Sequence, residues 1–102
     1  MLSFDDTVME IIEEIIRNVF ENDETAEVIL QYLNKNDSKT LDERLQIFAD
    51  ALPKILDEGY VIIEDLILET LYSKYGLNSA FEKDKFTDYI VELRKQKEEK
   101  DE

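Results

Sequence analysis

An all-α fold, a compact bundle of about five helices, is what this chain predicts, and three observations carry that expectation. Apolar residues recur at i, i+3, i+4 and i+7 through most of the sequence. Side chains suited to helix starts, Ser3 with Asp6, Thr40 with Glu43 and Ser79 with Glu82, precede several of those periodic stretches. The stretch between Gly59 and Gly76 is apolar over most of its circumference, which makes 60–75 the expected central hydrophobic helix. At about 100° per residue, Ile63, Ile67, Leu71, Tyr75, Leu68 and Val61 fill one broad arc of it, while Ile62 and Leu66 fall opposite, beside Asp65 and Glu69. Such a helix calls for neighbours on more than one side.

The first helix starts at Ser3, whose hydroxyl suits an N-cap, with Asp5 and Asp6 at the positive end of the helix dipole. Phe4, Val8, Ile11, Ile12, Ile15, Ile16 and Val19 form its core face, and Asp6, Glu10, Glu13, Glu14, Arg17 and Glu21 occupy the other side. Asp6–Glu10 and Glu10–Glu14 are like-charge pairs one turn apart, each costing a few tenths of a kcal/mol, so packing must outweigh them. After a turn at Asn22-Asp23, a short helix from about Glu24 to Leu33 buries Ala26, Ile29, Leu30 and Leu33. A polar loop at 34–38 follows.

The Thr40–Glu43 capping box opens a third helix with Leu41, Leu45, Phe48, Ala49, Leu52, Ile55 and Leu56 in period. Pro53 lies within that pattern. It has no N–H and clashes with the preceding turn, so this helix is expected to be kinked or split at Pro53. Gly59 is expected as the left-handed cap that ends the segment, and Gly76 as the cap of the central helix. The last helix starts near Ser79, or later with Asp84 as its cap, and presents Phe81, Phe86, Tyr89, Ile90 and Leu93. From Arg94 onward there is no apolar residue to anchor the chain. The expected organisation is therefore a single helical domain over 1–93 with a charged, frayed tail over 94–102.

With 102 residues the chain suffices for one modest core. It has no Cys, which removes disulfides, thiolate metal sites and cysteine nucleophiles. An acidic N-terminus and the lack of any apolar run of about 18 residues lead us to expect a cytoplasmic protein. Net charge is −14, and residues 1–27 hold −8 of it, nine acids against Arg17 alone. Such a surface repels phosphate backbones and anionic lipid, so neither direct nucleic-acid binding nor membrane binding is expected, whereas a basic protein surface is attracted.

Catalytic signals are sparse. There is no His, no glycine-rich phosphate loop, and Ser3, Ser38 and Ser79 sit at caps or loops, so an enzyme is not expected and no cofactor is implied. Glu10, Glu13 and Glu14 place three oxygen ligands on one helical face, a pattern that Mg²⁺ accepts. All-α nucleotide pyrophosphohydrolases carry Glu-Glu-x-x-Glu followed by Glu-x-x-Asp. Here Glu13-Glu14-Ile15-Ile16 runs into Arg17 and no Glu-x-x-Asp follows, so no metal site is expected. Tyr32, Tyr60 and Tyr72 lie near helix flanks, where a half-exposed ring anchors an interface.

The expected function is thus a small acidic binding module for a basic protein partner, an inhibitor, immunity or regulatory protein. Bacterial immunity proteins and phage-encoded anti-defence proteins are similar in size and charge. Its candidate contact residues are Asp6, Glu10, Glu13, Glu14, Glu21 and Tyr32. The alternative is a structural homo-oligomer that buries the surplus apolar surface of the central helix. A third reading, a nucleic-acid mimic, requires the acids of the first two helices to line up along one face.

Overall fold

Local sequence sets the helix ends. In the computed structural model, which describes residues 3–21, 23–34, 40–76 and 86–100, the Ser3 hydroxyl accepts a hydrogen bond from the Asp6 N–H at 3.1 Å and opens α1, Phe4–Val19. Helix α2 covers Glu24–Asn34, with the Asp23 carbonyl accepting from the first turn. Helix α3 covers Leu41–Leu56 behind a complete capping box, in which Thr40 accepts from the Glu43 N–H and the Glu43 carboxylate accepts from the Thr40 N–H. Helix α4 is Tyr60–Lys74 and α5 is Phe86–Lys100. No strand occurs among the described residues. Ser79, Phe81, Glu82 and Asp84, on which the start of the last helix was to rest, lie outside them.

Between α3 and α4 the structure departs from the expected caps. Pro53 is accommodated inside α3, three residues before its end, so the α-helix is not split there. The left-handed backbone falls two residues before Gly59, at Asp57 with φ +53°, while Gly59 itself has a helical φ of −65°. The Asp57 N–H still bonds the Pro53 carbonyl and closes the turn. Asp57–Gly59 then forms a 3₁₀ turn that runs straight into α4. Residues 41–74 are consequently one uninterrupted helical run, and the described chain has four such runs where the periodicity predicts about five separate helices. Gly76 does adopt the left-handed conformation, φ +66°, that ends α4.

Packing closes the helices into a ring. The most extensive contact is α2 on α3; α1 lies against α2 and α4, α5 against α3 and α4, and α3 also touches α4. Phe48, Leu45 and Leu52 of α3 meet Ile12 and Ile16 of α1, Ile29, Leu30 and Leu33 of α2, Ile67 and Leu71 of α4, and Ile90 and Leu93 of α5 in one core in which each is at most 2% exposed. The radius of gyration, 13.3 Å, is close to the ~13 Å of a well-packed chain of this length.

Because the core lies inside the ring, α4 forms one of its walls, and the expectation of a central, surrounded helix is corrected. Ile63, Ile67, Leu68, Leu71 and Tyr72 point inward, but Val61 is 46%, Ile62 71% and Leu66 38% exposed. Val61 was placed on the core arc by its angle, yet no neighbouring helix reaches that flank far enough to cover it. Tyr72, expected half-exposed, is buried. Its hydroxyl donates to the Tyr89 carbonyl at 2.8 Å, so the polar tip is satisfied inside the α4–α5 contact. Burial raises the Tyr72 pKa above its ordinary value, with Glu92 adding to the effect.

The end of the chain also differs. Helix α5 runs through Lys100, and Arg94, the first residue of the expected tail, is tied to other helices. Its guanidinium reaches Asp5 of α1 and Asp42 of α3, each at 3.3 Å, and stands 5.4 Å from the centre of the Phe4 ring. Arg94→Ala should therefore cost about 1 kcal/mol at low salt and less at high salt, where the ion pairs of the wild type are screened. Urea denaturation at low and high ionic strength measures it, and a loss equal at both would mean that packing on Phe4 is all that matters.

Candidate protein-docking surface

On α1 the core face and the acidic face are set by the same helical period. Val8, Ile12, Ile15 and Ile16 face inward, and Asp6, Glu10 and Glu14 stand exposed on the outside as a row at i, i+4 and i+8, spanning about 12 Å. Among the described residues no Lys or Arg pairs with any of these three carboxylates. Arg17 is the only cation of α1, and it is turned away from them. Its guanidinium binds Glu27 of α2 and Glu13 one turn back at 3.2 Å. The hydrogen bonds of those two carboxylates, Glu27 first, hold the Arg17 pKa above its ordinary value.

The six residues expected to form one contact surface are thereby divided. Asp6, Glu10 and Glu14 share a row. Glu13 is paired with Arg17 within α1, and Arg17 in turn reaches Glu27 of α2. Glu21 lies beyond the end of α1 with φ +51°, off the helical row altogether. Tyr32 is 41% exposed on α2 with Val28 one turn before it, but it stands about 140° around that helix from Glu27, which marks the side facing α1. Tyr32 and Val28 thus form a separate spot. Glu27, an acid that the mimic reading needs on an outward face, is held on Arg17.

A second surface was not among the expected site residues. Between α1 and α4 runs a shallow groove lined by Ile11 and Glu14 on one side and Glu69, Thr70, Ser73 and Lys74 on the other. On the same side of α4, one to two turns before these residues, lie the exposed Ile62 and Leu66, with Asp65 and Glu69 beside them in helical angle. The signal was present in the sequence, since Ile62 and Leu66 fall opposite the core arc, but a central helix was expected to cover them.

Opposite this side, Glu64 enters a small notch between α3, α4 and α5, lined by Gln46, Ala49, Asp50, Pro53, Tyr60, Phe86 and Thr87. Half-buried there, it loses hydration and has the like charge of Asp65 next to it, which together push its pKa up to about 7. The Gln46 amide donates to Asp50 at 2.9 Å and accepts from the Thr87 hydroxyl at 3.3 Å beside it.

Glu10, Glu13 and Glu14 do not converge on a common point, and no group of three carboxylates among the described residues is placed to hold a metal ion. No helix of the described residues is long and apolar enough to cross a membrane. The chain matches no protein-family model, and neither a search of curated proteins nor one of solved structures gave a match.

Proposed function

We propose that this protein is a non-enzymatic binding module that uses the outward face of α1 to dock on a basic surface of another protein, blocking or recruiting it. The observation that supports this reading is the commitment of Arg17 to Glu13 and Glu27, which leaves Asp6, Glu10 and Glu14 as a row of carboxylates with no cation partner among the described residues. A row of like charges on a well-packed helix concentrates a field outward, speeds encounter with a cationic surface and makes association sensitive to salt.

The test is an affinity pull-down at low salt from the source cells, eluted with rising salt, comparing wild type with Glu10→Lys/Glu14→Lys. Both positions are exposed and make no ion pair among the described residues, so helix content by circular dichroism should be unchanged. A single basic protein should be retained by the wild type and bound about tenfold or more weakly by the variant. Equal retention would overturn the proposal. Glu13 is unsuitable for this purpose because it pairs with Arg17 within α1.

One observation favours a self-associating subunit as the second reading, namely the exposure of Val61, Ile62 and Leu66 on α4. Sedimentation over a wide concentration range decides it, since a monomer at every concentration removes this reading.

A further inference from the structure

We infer that the exposed strip of α4 is the apolar half of the same docking surface, and that the surface takes a basic amphipathic helix of the partner. The inference rests on the binding-module reading and adds to it the place of contact and the shape of what is bound.

Three features converge. Ile62 and Leu66 are one turn apart and form an apolar ridge exposed to solvent, Ile62 more than Leu66. Carboxylates border that ridge on both sides, Asp65 and Glu69 on α4 itself and, across the shallow groove, Glu14 on α1. Half-buried Ile11 lines the α1 side of the groove, whose α4 side begins one turn beyond Leu66. Lys74, near the groove's end, is the one cation among these residues.

This charge pattern selects the occupant. A second copy of the chain would set one acidic border against another, and each copy carries a net charge of −14. Phosphate-rich surfaces, whether nucleic acid or anionic lipid, meet the same repulsion. A helix with an apolar stripe between rows of Lys or Arg satisfies both parts at once, its stripe lying along Ile62, Leu66 and Ile11 and its cations reaching the flanking carboxylates. The apolar contact supplies affinity that persists in salt, and the carboxylates align the helix along the groove.

The experiment is an NMR titration of the full-length ¹⁵N-labelled chain with a synthetic Leu/Lys peptide patterned as an amphipathic helix, beside a peptide of identical composition whose order abolishes the apolar stripe. At about 0.15 M salt, where exposed charges are strongly screened, the patterned peptide should bind about tenfold or more tightly than the scrambled one. Its shifts should centre on Ile62, Leu66, Glu69 and Glu14. Ile62→Ser/Leu66→Ser, at two exposed positions, should remove about tenfold of that affinity and leave the weak binding of the scrambled peptide intact.

Equal binding of both peptides with shifts confined to Asp6, Glu10 and Glu14 would overturn the α4 strip as part of the site while leaving the acidic-module reading in place. If neither peptide binds even at low salt, both fall. Concentration-dependent shifts at Ile62 and Leu66 without any peptide would overturn it in favour of a second copy.

Discussion

Phe48→Ala should lower stability by about 3–5 kcal/mol, the largest effect expected of any single substitution in this protein. The ring of Phe48 is fully buried in α3, and it meets the Phe86 ring with centroids 6.2 Å apart. It thus sits where α3 receives α5, in the middle of the continuous cluster that includes residues of all five helices. Truncation removes the transfer energy of the ring and leaves a void that close-packed neighbours cannot collapse to fill. A domain of this size has only about 5–15 kcal/mol of net stability to lose. Urea unfolding should show a midpoint lower by roughly 2 M with little change in slope. A loss under about 1 kcal/mol would mean that Phe48 does not occupy the centre of the core.

The second large effect is a pH dependence that belongs to Glu64. Desolvation in the notch between α3, α4 and α5, aided by Asp65, raises its pKa to about 7, against about 4.3 in an unfolded chain. Between those two values the folded protein holds a proton that the unfolded chain releases. Folding is then favoured on the acid side, and the contribution of this group is lost as pH rises through about 7. The full shift would amount to about 3–4 kcal/mol. Glu64 is only half-buried, so solvent screening reduces the expected effect to roughly 1–2 kcal/mol.

Glu64→Gln keeps the shape and removes the charge. The variant should be more stable than wild type by that amount at pH 8, with the gap closing near pH 5. Measuring the difference at each pH cancels the general repulsion among the other carboxylates. A gap of the same size at both pH values would show that the ionisation of Glu64 is not its source.

How far these features were legible in the sequence varied with how local their causes are. Ala26, Ile29, Leu30 and Leu33 of α2 were identified as buried from period alone, and all four are. On α3, Leu41, Leu45, Phe48 and Leu52 likewise lie in the core. Ser3 and the Thr40–Glu43 box cap the helices that they were expected to cap. Each of these depends on the angle between residues on one helix or on a bond within one turn. Gly59 was misread because a glycine permits a left-handed backbone without requiring one; the turn fell at Asp57 instead, and α3 passed into α4 through a 3₁₀ turn. For the candidate site, the row Asp6, Glu10, Glu14 was legible for the same reason of helical angle. The role of Tyr32 was not, since it depends on where α2 stands relative to α1.

By itself, then, the sequence determined that this protein is helical, which face of each amphipathic helix turns inward, and that its first helix presents carboxylates outward. These follow from a 3.6-residue period and from the energy of removing apolar side chains from water. Only the tertiary structure decided which neighbours each helix has. It made α4 a wall of the ring, leaving Ile62 and Leu66 in solvent; it drew Arg17 to Glu27, and it fastened Arg94 of α5 to Asp5 and Asp42. Those contacts join residues 10 to 89 positions apart, and no local pattern specifies them, because an apolar or charged face states what it requires of a partner and not which segment will supply it.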